Sequence, residues 1–216
     1  MANKITLAML ALVALAIIAS AAAYSYLPEK IVSHWGIDGQ PDSTMDKATA
    51  LVLIPAIAIF IFVLYLIIPK IDPMKGNIKK FEMQYGLLFG LLLFFMLYVN
   101  VLTIVWNLGY KVNFSLAIIP AVAVLFFGMG LLLKNSKRNW FVGIRTPWTM
   151  SSDSVWEKTH IFASKTFTIG AAMLLLSAFI PSQAMTLMFA AIIVAELSPV
   201  VYSYIEFSKE KKSKKA

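Results

Sequence analysis

The sequence predicts an all-α fold: a polytopic integral membrane protein, a six-transmembrane-helix bundle with both termini in the cytoplasm. Three observations carry that prediction. The 216-residue chain is 60% hydrophobic and only 14% charged, too apolar for a surface that meets water on every side. Six stretches, 5–27, 48–69, 83–110, 112–133, 161–180 and 184–205, are free of charge or nearly so. Each is about the 20 residues that a helix needs to cross a hydrocarbon core, and lipid leaves no other partner for backbone N–H and C=O groups. The basic residues, finally, gather on alternate connections.

The composition also excludes other classes. Apolar residues dominate, Gly is 10 and Cys is 0, so disorder, collagen and a disulfide scaffold are set aside. The first span, with Lys4 and Ala21-Ala22-Ala23, imitates a secretory signal. Its apolar run exceeds the roughly 7–15 residues of such a signal, and it reads as a retained anchor. Spans two to four carry no charge in their interiors. Span five holds Lys165 near its start, where a long side chain reaches the interface, and span six holds Glu196.

Of the 19 Lys and Arg, only Lys30, Lys47 and Lys111 fall on one side of this arrangement. All the others lie on the opposite side: Lys4, the connections after spans two and four, the start of span five and the tail 209–215. The positive-inside rule places that side in the cytoplasm. The formal net charge of +8 therefore reports topology, and the Lys tail meets anionic lipid rather than nucleic acid. The chain divides into 1–69, a two-helix unit with an extracytoplasmic loop at 28–47; 70–133, helices three and four; and 134–216, with a cytoplasmic motif at 139–160, helices five and six and the tail.

Two polar segments and one buried polar pair hold the chemistry. The outside segment contains His34, Trp35, Gly36, Asp38, Gly39, Pro41 and Asp42. Its Gly and Pro make it a turn region. His34, Asp38 and Asp42 supply N and O donors, a weak candidate for a divalent metal; a packed cap with a hydrogen-bonded His is the plainer reading. The inside segment runs Asn139-Trp140-Phe141-Val142-Gly143-Ile144-Arg145-Thr146-Pro147-Trp148-Thr149. Pro147 restrains Thr146 to an extended backbone. Ser151 or Ser152 caps a helix running on into span five, Ser154 and Glu157 have capping-box spacing, and Trp156 and His160 share a face at i,i+4. Arg145 suits capture of a phosphate or carboxylate, either lipid or protein, or else only neutralises lipid in an interfacial Trp belt. In span six Glu196 lies near mid-membrane, three residues before Pro199, with Asn100 of span three at similar depth as its candidate partner. No enzymatic constellation is visible: there is no Cys, and His34 and His160 fall on opposite sides.

Residues 139–149 with Trp156-Glu157-Lys158-Thr159-His160 resemble the C-terminal signature of the SdpI family of bacterial membrane proteins. The run Leu27-Pro28 to Lys47, with His34-Trp35, Gly39 and Asp42, is similar to an uncharacterised N-terminal domain often found in the same chains. The resemblance implies a plasma-membrane immunity protein, without catalysis or cofactor, that protects its cell from a secreted toxic peptide on the outside. It also implies, for some members, a cytoplasmic regulator held at the membrane; the candidate binding residues of the cytoplasmic motif are Asn139, Gly143, Arg145, Thr146, Pro147, Trp148, Trp156 and His160, which either report the toxin or stabilise the bundle. Two other functions compete: a small ion- or proton-coupled transporter or channel using Glu196, and a metal-binding membrane enzyme using His34, Asp38 and Asp42.

Overall fold

A computed structural model describes residues 2–36, 39–180 and 183–213. Asp38, Pro181, Ser182, Lys214 and Lys215 of the sequence reading lie outside the described residues. The chain is a polytopic membrane protein of predominantly helical fold, with six helical stretches long and apolar enough to cross a membrane. These are built from α1 (Ala2–Ala23), α2 (Lys47–Ile71), α4 (Glu82–Asn107), α5 (Phe114–Asn135), α7 (Asp153–Ser177), and α8 (Ala184–Ile192) continued by α9 (Ser198–Ser213). The helices expose large apolar side chains such as Leu7, Ile18, Val52, Phe60, Phe94, Ile169 and Leu176. That is the surface lipid solvates, and it requires no covering layer.

The chain forms two compact units, Met1–Leu66 with Phe89–Ala121, and Ile67–Leu88 with Val122–Ala216. In the first, Asn100 is buried and donates to Ala16 O (3.1 Å) and Ser20 Oγ (3.1 Å). This pins α4 to α1 where apolar packing alone gives little specificity. The polar partners that Asn100 takes within its own unit are thus residues of α1. Counting residues fixes depth, whereas the direction a side chain takes around its helix is set by packing.

The segment between α1 and α2 is the main departure from the turn region that its Gly and Pro suggest. It folds as a β-hairpin of β1 (Lys30–Trp35) and β2 (Pro41–Asp46), antiparallel, with Lys30 opposite Asp46 and Val32 opposite Thr44. Ile31 is buried with Ala23, Leu27, Ala50, Leu51 and Ile104, and Met45 packs on that cluster. One face of the hairpin therefore belongs to the core of the first unit, and the alternation of strand side chains turns the other face out.

In the second unit two short helices supplement the spans: α3 (Lys75–Ile78) after α2, and α6 (Pro147–Ser151) ahead of α7. The last span is interrupted by a π turn, Ile193–Leu197, in which the Ser198 N–H reaches back to Ile193 O. Pro199 explains it. Proline has no N–H for the Ala195 carbonyl and crowds the preceding turn. The freed carbonyls find side chains instead: Val194 O accepts from Ser198 Oγ (2.5 Å) and Ala195 O from Thr166 Oγ1 (3.4 Å).

Candidate functional site

The hairpin of the first unit is held by side chains at the end of α4. Asn107 acts as a one-residue strand beside β1: its Oδ1 accepts from the Val32 N–H (2.8 Å) and its Nδ2 donates to Val32 O (2.9 Å). Trp35 stacks on Phe114 with ring centroids 3.7 Å apart and meets Trp106 edge-on at 5.7 Å. Gly39 has φ +75°, and a Cβ there would stand 2.7 Å from Asn113 Oδ1, so the turn requires glycine at this position. His34 and Asp42 bind each other, Nδ1 to Oδ1 at 2.5 Å, on the exposed face. Among the described residues no three His, Cys, Asp or Glu side chains gather as a metal would need.

In the second unit the run 136–160 is a polar knot tied mostly to itself. Asn139 is fully buried and uses its whole amide. Nδ2 donates to Lys137 O (2.9 Å) and Val142 O (2.8 Å), while Oδ1 accepts from the N–H groups of Phe141 (3.0 Å) and Val142 (2.7 Å). Gly143 then turns the chain at φ +120°, under the stacked rings of Trp156 and His160, whose centroids are 4.0 Å apart. The i,i+4 spacing delivers that stack. Trp156 Nε1 donates to Ser136 O (3.2 Å). His160 Nε2 accepts from the Ile144 N–H (3.0 Å), and its Nδ1 lies 2.7 Å from Trp156 O. A carbonyl only accepts, so Nδ1 carries the proton and Nε2 is bare: the ring is the neutral tautomer with both nitrogens occupied.

Thr146 is extended (φ −92°, ψ 161°) before Pro147, which occupies the first turn of α6. Thr146 Oγ1 accepts from the Thr149 N–H (3.2 Å) and Thr149 Oγ1 from the Thr146 N–H (2.9 Å), a reciprocal cap with Thr in place of the usual Glu. Thr146 Oγ1 also bonds Ser203 Oγ of α9 at 3.0 Å, and Trp148 leans on Tyr204, ring centroids 5.1 Å apart. The cap of α7 is Ser152: its Oγ accepts from the Val155 N–H and donates to Glu210 (2.6 Å). The capping box expected from Ser154 and Glu157 is therefore not the one used. Their spacing is right, but the helix starts at Asp153, and the Glu157 carboxylate lies 3.8 Å from Lys137 Nζ.

Several residues of this site lie outside the motifs that the sequence displays. Asp72, 2% exposed, accepts from the Met74 N–H (2.5 Å) and, 68 positions along the chain, from the Trp140 N–H (2.9 Å). Asn77 Nδ2 donates to Arg138 O (2.8 Å). Arg138 donates from Nη1 to Met150 O (2.8 Å), while its Nε lies 2.9 Å from the Asp153 carboxylate, off the line of a hydrogen bond, as an ionic contact. Buried Glu206 takes Lys158 (3.1 Å) and Lys209 (2.7 Å). The one available signal was Asp72 itself, a lone acid among Lys70, Lys75, Lys79 and Lys80.

What remains free on the knot is narrow. Arg145 is exposed, its guanidinium donating to Trp140 O. Trp140 and Phe141 are exposed beside it. Glu196, in the π turn, is exposed, and no hydrogen bond or ion pair is found for it among the described residues.

Residues 135–203 match the model of the SdpI/YfhL protein family, and residues 11–59 match a domain of unknown function, DUF1648. The chain is 26% identical over 199 residues to Immunity protein SdpI of Bacillus subtilis (strain 168), an alignment covering 92% of this chain and 93% of that protein. No solved structure matches the chain. The knot lies within 135–203 and the whole hairpin within 11–59, so both fall in the two matched stretches of a polytopic chain that is similar along most of its length to an SdpI protein.

Proposed function

We propose that the chain is a plasma-membrane immunity protein that protects its cell from a secreted toxic peptide. In this reading the hairpin, with His34, Trp35, Gly39 and Asp42, faces the outside and meets the peptide. The knot and both termini face the cytoplasm, where the knot holds a regulator protein at the membrane. The observation that supports the reading is the alignment to an immunity protein along 92% of the chain, through the hairpin and the knot alike.

The geometry suggests how labour divides within the knot. Asn139, Gly143, Thr146, Trp156 and His160 are consumed by internal bonds and packing, so their role is to shape the surface. Arg145, with Trp140 and Phe141 exposed beside it, is left to meet the regulator. A planar guanidinium held at one nitrogen still offers its remaining donors to a carboxylate. Both nitrogens of His160 are engaged, and no catalytic step is assigned.

Expression of the chain in a sensitive bacterium is expected to raise the amount of toxic peptide needed to halt growth. The peptides to use are those encoded beside the gene. Arg145→Gln should leave this protection in place and release the regulator from membrane fractions. Unchanged killing by every such peptide would overturn the immunity reading.

A further inference from the structure

We infer that the outer edge of β2 is a docking edge for an extended, basic peptide segment, which adds to the hairpin as a third strand. The inference rests on the reading that the hairpin meets a peptide, and it names the mode of recognition.

The parity of the ladder carries it. The Lys47 N–H donates to Glu29 O (2.9 Å), so Glu29–Lys47 is a hydrogen-bonded pair. In an antiparallel ladder such pairs alternate with pairs that turn their N–H and C=O groups outward. Lys30–Asp46 and Val32–Thr44 are therefore of the outward kind. On the β1 side the consequence is visible: both outward groups of Val32 are taken by Asn107. On the β2 side Thr44 and Asp46 turn the same groups away from the hairpin. Every residue of β2 except Met45 is exposed, so that edge is open. One edge of this two-stranded sheet is closed by a built-in mimic of a strand and the other is left for a strand.

Side chains set the preference. Ile31 and Met45 face the core, so Thr44 and Asp46 share the outer face. Asp46 forms no ion pair among the described residues, whereas neighbouring Glu29 and Asp42 are paired with Lys47 and His34. An incoming strand places alternate residues beside Thr44 and Asp46, and Lys or Arg opposite Asp46 fits. The carboxylates also discourage neutral and acidic strands, as charged edges do in general.

The test uses the full chain in cells challenged with a peptide against which the wild type protects. Thr44→Pro removes an outward N–H that the hairpin does not use, a substitution edge strands accept; Thr44→Ala keeps that N–H. Thr44→Pro is expected to lower protection about ten-fold or more, as loss of strand pairing at this edge implies, and Thr44→Ala to leave it unchanged. Exchange of the Met45 and Lys47 amides, which point inward, reports whether the hairpin persists. If it does not, Asp46→Lys decides: retained protection overturns the inference, and lost protection supports it. Full protection by an intact Thr44→Pro protein also overturns the docking edge and leaves the immunity reading standing. A wild type that protects against no peptide overturns both.

Discussion

Gly143→Ala is expected to destabilise the knot by about 2–4 kcal/mol, summing backbone strain and overpacking. Two independent effects converge there. The backbone sits at φ +120°, and an added Cβ would lie 2.6 Å from His160 Nε2 and 3.1 Å from two ring carbons of Trp156. Neither ring can yield cheaply. Trp156 is tied through its indole N–H to Ser136 O, and His160 through both nitrogens to Ile144 N–H and Trp156 O. Relief of the clash must therefore break the bond that closes the loop. Amide exchange at Ile144 should accelerate by about one and a half to three orders of magnitude, as about 1.4 kcal/mol per ten-fold implies, while exchange in α1 and α4 stays as in the wild type. Wild-type exchange at Ile144 in the variant would show that the loop does not depend on this contact.

Asn139→Ala is expected to cost about 3–5 kcal/mol, because each buried partner left unsatisfied costs about 1–3 kcal/mol. The side chain clasps Val142 from both sides, taking its N–H and its C=O, and also engages Phe141 N–H and Lys137 O. No other group stands in for it. Asn139→Asp should be nearly as damaging, since a carboxylate keeps the two accepted bonds but turns negative charge on the Lys137 and Val142 carbonyls. The readout is limited proteolysis of detergent-solubilised protein. Cleavage between residues 137 and 146 should appear in both variants and be slow in the wild type. Equal cleavage rates would refute the clasp.

The spans were legible because a bilayer imposes a length and a polarity on each one, and 5–27 through 184–205 all display them. Local devices were legible where spacing alone fixes them: Pro147 at the start of a helix with extended Thr146, and the Trp156–His160 stack at i,i+4. The hairpin was not legible. β2 reads Pro-Asp-Ser-Thr-Met-Asp, with no β-branched or aromatic alternation, and it is a strand because Ile31 and Met45 find an apolar bed between α1 and α2. Nor were Asp72 with Trp140 or Asn107 with Val32 legible, since the members of each pair lie 68 and 75 positions apart in sequence and meet only once the chain has folded. The Ser154–Glu157 spacing misled because Ser152, two residues earlier, found a second partner in Glu210.

Both halves of the functional reading require the hairpin outside and the knot inside. The chain has no Cys, so Ser43→Cys and Ser151→Cys, both at exposed positions, each introduce one thiol. A membrane-impermeant maleimide is predicted to label Ser43→Cys in intact cells and to label Ser151→Cys only after permeabilisation. Labelling of Ser151→Cys in intact cells, with Ser43→Cys protected, would contradict it.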